Sequence, residues 1–253
     1  MSSATPTRPL VPETFPARLV DARMMGPRVR HLAFERSDGA PFVFEAGQWV
    51  QLVFPLTDDK GRAVRRSYSI ASPPLGTPRF ELAVTKVDDG PGSSFLHDAS
   101  VGATLDVKGP AGTFTRPLEA AAPSLFIATG TGVAPFRAMI REALSKGRTE
   151  PLWLLFGVRS PGELLYGDEL TALAKASPCF RFEPSLSRPP PVWTGRAGYV
   201  QTHVKALWSE LSAANPGARA YICGVKKMLT ASREVLRLEL GVDRRQVHLE
   251  AYD

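Results

Sequence analysis

In the first half of the chain, apolar positions come in short runs, several of them alternating with polar residues: 15–20, 29–34, 49–54, 67–71, 80–86 and 104–108. Turn-forming clusters separate the runs, among them Thr57-Asp-Asp-Lys-Gly61, Ser72-Pro-Pro-Leu-Gly76 and Asp88-Asp-Gly-Pro-Gly92. Alternation sends successive side chains to opposite faces of a strand, and the frequent turns keep the strands short. The pattern predicts an antiparallel barrel or sandwich. Beyond residue 123 the period changes. Ser124-Leu-Phe-Ile-Ala128 is an apolar, strand-like run. It is followed by Phe136, Met139, Ile140, Ala143 and Leu144 at helical spacing, with Arg137, Arg141 and Lys146 off that face and Gly147 as a stop. The alternation then repeats: strand 152–156 before helix 163–176, strand 180–186 before helix 199–213, strand 220–223 before helix 226–240, and a last strand at 247–252. Such a series predicts a five-stranded parallel sheet with helices on both faces. Pro117, Ala120, Ala121, Ala122 and Pro123 mark a break. Domains are therefore expected at 15–117 and 123–253, after a loose tail over 1–14.

Composition narrows the class. Apolar residues make up 43% of the 253 and charged residues 22%, the balance of a globular protein able to bury a core in each half. No apolar stretch reaches the ~20 residues that cross a bilayer, and the first residues lack the apolar core of a secretory signal. Membrane insertion is not expected, and the expected setting is cytoplasmic. Two cysteines, Cys179 and Cys223, fit a reducing compartment and are too few for a plant-type iron–sulfur cluster, which takes four. Any such cluster exchanging electrons with this chain would sit on another polypeptide. The net charge of +6 suits an acidic partner. The basic residues are dispersed and form no recognition motif, which argues against nucleic acid.

Five segments could carry chemistry. In Thr129-Gly-Thr-Gly-Val133 a strand meets a helix through glycines, and the helix start suits a phosphate. In Arg66-Ser-Tyr-Ser69, Arg66 and Tyr68 share one strand face. They are either a guanidinium for a pyrophosphate beside a ring for a flat heterocycle, or an ordinary surface pair. Gly90-Pro-Gly-Ser-Ser-Phe-Leu-His97 is either a nest of backbone N–H groups or a plain hairpin loop, and His97 fits a structural role. Ser187, Arg188, Arg196, Tyr199 and Gln201 lie in a proline-stiffened stretch after a strand. They could surround an extra phosphate or form a surface loop with scattered basic residues. Cys223 ends an apolar strand, where a small buried hydrophobe is the ordinary role, and Glu250 and Tyr252 stand near the chain end.

In this order and spacing the five segments resemble the ferredoxin–NADP(H) reductase family, over nearly the whole chain from Phe15. Leu155-Phe-Gly-Val158, Glu163-Leu-Leu-Tyr166 and Tyr199-Val-Gln-Thr202 are similar to its plant-type members. The resemblance implies an FAD-binding β-barrel followed by an NADP-binding α/β domain. By that likeness Arg66 holds the FAD pyrophosphate, Tyr68 stacks on the flavin and Ser69 bonds near its reacting nitrogen. Ala83, Val84 and Thr85 line the FAD, and Gly92, Ser93 and Ser94 offer N–H groups to its phosphates. Gly130, Thr131, Gly132 and Val133 cradle the nicotinamide dinucleotide, with Thr131 also near the flavin. Ser187, Arg188 and Tyr199 match positions that grip the 2′-phosphate, and Gln201 lies beside them. The family's basic residue before the tyrosine stands in a different register from Arg196. Cys223 falls near the nicotinamide, Glu250 is the carboxylate of a proton path, and Tyr252 covers the second flavin face. Asp253 follows that tyrosine here, whereas plant-type members end on it. Ala46-Gly47-Gln48 replaces the common Pro-Gly-Gln.

The implied activity is electron transfer between NADPH and a one-electron protein carrier, ferredoxin or flavodoxin, by a monomer. FAD joins a two-electron donor to a one-electron acceptor. Nicotinamide must come within about 3–3.5 Å of the flavin for this transfer. Two alternatives share the fold: an NAD(P)H-dependent reductase component of an oxygenase system, and a flavoprotein subunit of a larger redox complex.

Overall fold

A computed structural model describes residues 11–118 and 122–252. Ala120 and Ala121 of the expected linker, residues 1–10 of the expected tail, and Asp253 lie outside the described residues.

Six strands build the first half: β1 (Glu13–Met24), β2 (Val29–Arg36), β3 (Trp49–Thr57), β4 (Ala63–Ser69), β5 (Arg79–Thr85) and β6 (Thr104–Ala111). They form one antiparallel sheet in the order β4-β3-β6-β1-β2-β5. Alternation sets the faces. Val50, Leu52 and Phe54 of β3 point inward, and the residues between them do not. The sheet edges meet where Ile70 bridges Leu82 and the Ala71 N–H donates to the Glu81 carbonyl at 2.7 Å, so the sheet curls into a barrel. Phe15, Phe34, Phe42 and Phe80 fill it, each ring within 6.4 Å of another. Burying one such ring contributes about 1.5–3 kcal/mol.

Residues 91–98, expected as a nest or hairpin loop, form a helix, α1 (Pro91–Asp98). Pro91 at its first position supplies a φ already suited to a helix. Tertiary bonds hold the other end. Arg30 of β2 donates through Nη1 to the carbonyls of Leu96, His97 and Ala99 at 2.7–2.9 Å, and the His97 ring bonds the Val84 carbonyl at 3.0 Å.

The second half is a parallel sheet of six strands, in the order β10-β9-β8-β7-β11-β12. The five expected strands are β7 (Ser124–Thr129), β8 (Leu152–Val158), β9 (Phe180–Leu186), β11 (Arg219–Val225) and β12 (Val247–Tyr252). The sixth, β10 (Arg196–Ala197), is a two-residue edge paired to Ser185 and Leu186, too short to leave a pattern in the sequence. Helices α2 (Val133–Ser145) and α3 (Gly167–Ala176) cover one face, with Phe136, Ile140 and Leu170 buried there. Helices α4 (Gln201–Ala214) and α5 (Lys226–Glu234) cover the other, with Val204, Leu207 and Leu229. The helix expected over 163–176 begins only at Gly167, because Tyr166 holds a left-handed φ of 58°. The one expected over 226–240 passes into a π turn at Val235–Glu239.

A buried polar cluster joins the halves. Arg137 of α2 is 4% exposed, although its spacing puts it off the apolar face. Its Nη1 donates to the Ala71 carbonyl and to Glu81 Oε2, both at 2.8 Å, and its Nη2 donates to Glu169 Oε2 at 2.9 Å. The guanidinium lies 4.3 Å from the centre of the Tyr166 ring, whose hydroxyl bonds His31 Nδ1 of β2 at 3.2 Å. Burial works against the Glu81 charge, and the Arg137 guanidinium still holds that carboxyl below its ordinary pKa. Burial pushes the His31 imidazole well below its ordinary 6.5, with Glu81 opposing and Arg23 and Arg137 assisting.

A group that folding keeps neutral stabilises most above its unfolded pKa and loses that contribution as pH falls below it. The melting temperature of the wild type should therefore drop more steeply below about pH 6.5 than that of His31→Gln. Parallel curves for the two proteins from pH 8 to 5 would remove His31 from the acid response.

Candidate active site at the domain boundary

Four side chains meet where β4 ends and β11 and β12 run side by side. Ser69, the last residue of β4, is buried and donates through Oγ to Glu250 Oε2 at 3.1 Å, from barrel to α/β domain. Cys223 of β11 stands opposite Glu250 of β12 in the strand register, and Val225 stands opposite Tyr252. The Tyr252 hydroxyl lies buried against Ser69 and Cys223. Burial raises the Glu250 carboxyl to about 7, against the pull of the Ser69 bond. It also raises the Cys223 thiol, with the Glu250 charge adding, which favours the protonated sulfur. Tyr252 is driven far above its usual value, again mainly by burial. A carboxyl raised to about 7 and bonded to a hydroxyl is a pair suited to general acid–base chemistry near neutral pH.

On the barrel side, Arg66 is exposed, and its guanidinium donates from Nη1 to the Arg65 carbonyl at 2.7 Å. It packs against the start of α1. A Cβ on Gly92 would lie 3.1 Å from Arg66 Cγ and 2.9 Å from the Phe54 ring. The first turn of α1 gives the N–H groups of Gly92 and Ser93 no partner inside the helix. The Ser93 hydroxyl is occupied, accepting from the Val87 N–H at 3.1 Å and donating to the Gly90 carbonyl at 3.0 Å. Its N–H remains for a ligand, and Ser94 instead donates its N–H to the Gly90 carbonyl. Tyr68 is half-buried and its phenol is raised to about 12 by burial, with Arg66 opposing. Ala83 and Val84 are buried, while Thr85 is exposed and its hydroxyl reaches that of Thr131 at 3.5 Å, across the domain boundary. A guanidinium, free amides at a helix start and a ring on one strand fit a dinucleotide such as FAD.

On the other side, β7 ends in a 3-10 turn, Gly130–Gly132, before α2. The two glycines divide the work. Gly130 has a φ of 55° and open space where a Cβ would stand. A Cβ on Gly132 would lie 2.3 Å from the Cys223 carbonyl oxygen. Gly130 leaves open space beside the turn, and Gly132 lets the loop pack against the strand that carries Cys223. Thr131 is half-buried, and Val133 is fully buried at the start of α2.

A cleft of about 860 Å³ opens beside this turn. Gly130, Ser187, Tyr199 and Gln201 line it, facing Arg28 and Thr85 of the barrel. Arg188 is exposed beside it, its N–H bonded to the Arg159 carbonyl at 2.8 Å. Arg196 is turned elsewhere: its Nε donates to Glu183 Oε2 at 2.7 Å, which leaves it poorly placed for a phosphate. Sequence reasoning missed four cationic residues of the cleft wall, Arg28, Lys86, Arg159 and Lys227. The signal was available for Arg159, which directly follows β8 at the strand end where parallel sheets bind ligands.

Glu250 titrates higher in the folded chain than in the unfolded one, so its proton stabilises the fold and is shed as pH rises. Relative to Glu250→Gln, the wild type should lose thermal stability as pH rises from about 4.5 to 7, with a constant gap above. A gap that does not change over this range would mean that burial does not raise this carboxyl.

Comparison with known proteins agrees with this geometry. The profile of an oxidoreductase FAD-binding domain matches residues 16–115, and that of an oxidoreductase NAD-binding domain matches 126–234. The chain is 53% identical to ferredoxin–NADP reductase B of Sorangium cellulosum over 243 residues, covering 95% of this chain and 98% of that protein. It is 27% identical to the phenol hydroxylase P5 protein of Acinetobacter pittii, covering 95% of this chain and 66% of that one. A crystal structure of a ferredoxin NADP+ reductase from Neisseria gonorrhoeae with bound FAD and NADP shares the fold, with a TM-score of 0.76 at 24% identity over 94% of this chain and 98% of that chain. Among the described residues no helix is long and apolar enough to cross a membrane. With an FAD-binding barrel, a nicotinamide-dinucleotide domain and a relative matched almost end to end, this chain belongs to the ferredoxin–NADP(H) reductase family.

Proposed function

We propose that this chain is an FAD enzyme that passes electrons between NADPH and a one-electron protein carrier, ferredoxin or flavodoxin. The observation that carries this reading is the cluster of Ser69, Cys223, Glu250 and Tyr252, assembled from both domains beside a cleft that both domains line. Bound FAD supplies the chemistry, accepting a hydride and releasing electrons singly. The chain binds, orients and excludes water. Arg66 and the amides of Gly92 and Ser93 hold the anionic part of FAD, Tyr68 offers a platform for its ring system, and Ala83, Val84 and Thr85 line it. Thr131 stands between the two ligands. Gly130, Gly132 and Val133 shape the turn that receives NADPH. Ser187, Arg188, Tyr199 and Gln201 recognise its 2′-phosphate. Ser69 and Glu250 form the proton path, the buried Cys223 thiol fills the space beside them, and Tyr252 keeps water from the reacting face.

The basic chain favours an acidic carrier, and ferredoxin is the partner in the name of the Sorangium relative. Docking of opposite charges weakens as salt screens them. The domains divide at 15–117 and 123–253, and a monomer in the cytoplasm fits two free cysteines. A second reading, the reductase component of an oxygenase, draws on the likeness to the phenol hydroxylase P5 protein. The cationic residues at the cleft favour NADPH over NADH in either case.

The test is spectral. The purified chain should be yellow, and NADPH should bleach it faster than NADH does. Ser187→Asp combined with Arg188→Ala should lower kcat/KM for NADPH about 10- to 100-fold, the loss of bonds to a charged group, and leave NADH nearly unchanged. Equal losses for both nucleotides would withdraw the 2′-phosphate assignment. Negligible ferricyanide reduction by NADPH would favour a non-catalytic subunit.

A further inference from the structure

The Gly130–Gly132 turn and the flavin-facing strands belong to different domains, and something must fix one against the other. Arg137 is placed to do so. It lies one turn into α2, the helix that starts at the glycine turn. Its Nη1 crosses to the barrel and donates at 2.8 Å to both the Ala71 carbonyl and Glu81 Oε2. Ala71 follows Ser69 by two residues, Glu81 precedes Ala83 by two, and the Ala71 N–H donates to the Glu81 carbonyl at 2.7 Å. The anchor therefore sits on the two stretches of chain that carry the barrel's share of the site. Arg137 is also held from its own domain. Its Nε and Nη2 donate to Glu169 of α3 at 2.9–3.1 Å, and its guanidinium lies 4.3 Å from the Tyr166 ring centre. Tyr166 takes a φ of 58° where it makes this contact, a conformation that a bulky residue keeps only when its surroundings require it.

We infer that Arg137 is a positioning residue for hydride transfer: its bridge to Glu81 and Ala71 sets the nicotinamide turn in register with the flavin site. The inference rests on the reductase reading above. Arg137 is buried and does not line the cleft; its effect comes from the two surfaces it holds together. Displacement of reacting groups by about 1 Å can slow a reaction up to about 100-fold, and a bridge of two short bonds across a domain boundary controls displacements of that size.

Glu81 and Glu169 give a matched pair of tests, because both bond Arg137 at similar distances and only Glu81 lies in the other domain. In FAD-loaded protein, three readouts are followed for the wild type, Glu81→Gln, Glu169→Gln and Arg137→Lys. They are the rate of flavin reduction at saturating NADPH, the long-wavelength charge-transfer absorbance of the flavin–NADP+ complex, and the melting temperature. Glu81→Gln should slow reduction about 10-fold without raising the half-saturating NADPH concentration, and should lose most of the charge-transfer band. Glu169→Gln should keep the wild-type rate and band even where its melting temperature falls as far. Arg137→Lys, which keeps the charge but not the fork, should fall between. Equal effects of Glu81→Gln and Glu169→Gln on rate and absorbance would overturn the positioning role, as would an unaltered Glu81→Gln. The unsubstituted protein distinguishes the two ideas: flavin that NADPH fails to reduce there defeats the reductase reading itself, whereas normal reduction with indistinguishable variants defeats only the inference.

Discussion

A guanidinium shut away from water has to be matched on every side, and Arg137 is matched from both halves of the molecule. One carboxylate comes from β5 of the barrel, another from α3, a carbonyl comes from the chain just past β4, and an aromatic face completes the shell. Separating the domains would strand a buried charge, and losing one partner of a buried pair costs about 3–5 kcal/mol. This polar contact adds directional bonds to a boundary that is also packed by apolar residues, with Ala46, Ala71, Ala83 and Phe114 of the barrel in one buried cluster with the α/β domain. The Ser69–Glu250 bond also runs between the domains, across the same boundary.

Much of the fold was legible in the sequence, because each half obeys one rule for burying apolar residues. Strands such as β3 alternate between an inner and an outer face, and strands such as β7 are covered on both faces and read as continuous apolar runs. The exceptions are elements whose stability comes from elsewhere. The eight residues of α1 include Gly92, Ser93 and Ser94, poor helix formers, and the helix persists through Arg30 and His97. The two-residue β10 has no periodicity to detect. The late start of α3 follows from the left-handed Tyr166, whose cause is a contact with α2 and not its neighbours in the chain.

The site was legible to a different degree. Ser69, Cys223 and the neighbouring pair Glu250 and Tyr252 come from three separate parts of the chain, and only resemblance to a family grouped them in advance. Local pattern gave each of them an ordinary reading. Arg137 escaped because helical spacing assigns it to the polar face, while the carboxylates that allow its burial lie 32 and 56 residues away. Arg196 shows the converse. It sits in a basic stretch that reads as a phosphate site, and Glu183, thirteen residues upstream, already occupies it. In both cases the deciding partner is remote in sequence, and periodicity carries no information about it.

The attachment of α1 through Arg30 has a consequence for how this family of chains can vary. A side chain of β2 neutralises the negative end of the helix and ties it to the barrel wall. The stretch joining β5 to α1 has only the other end to hold, where the Ser93 hydroxyl accepts from the Val87 N–H and donates to the Gly90 carbonyl. The two ends of α1 are thus secured by different parts of the barrel, and a change in one attachment leaves the other in place.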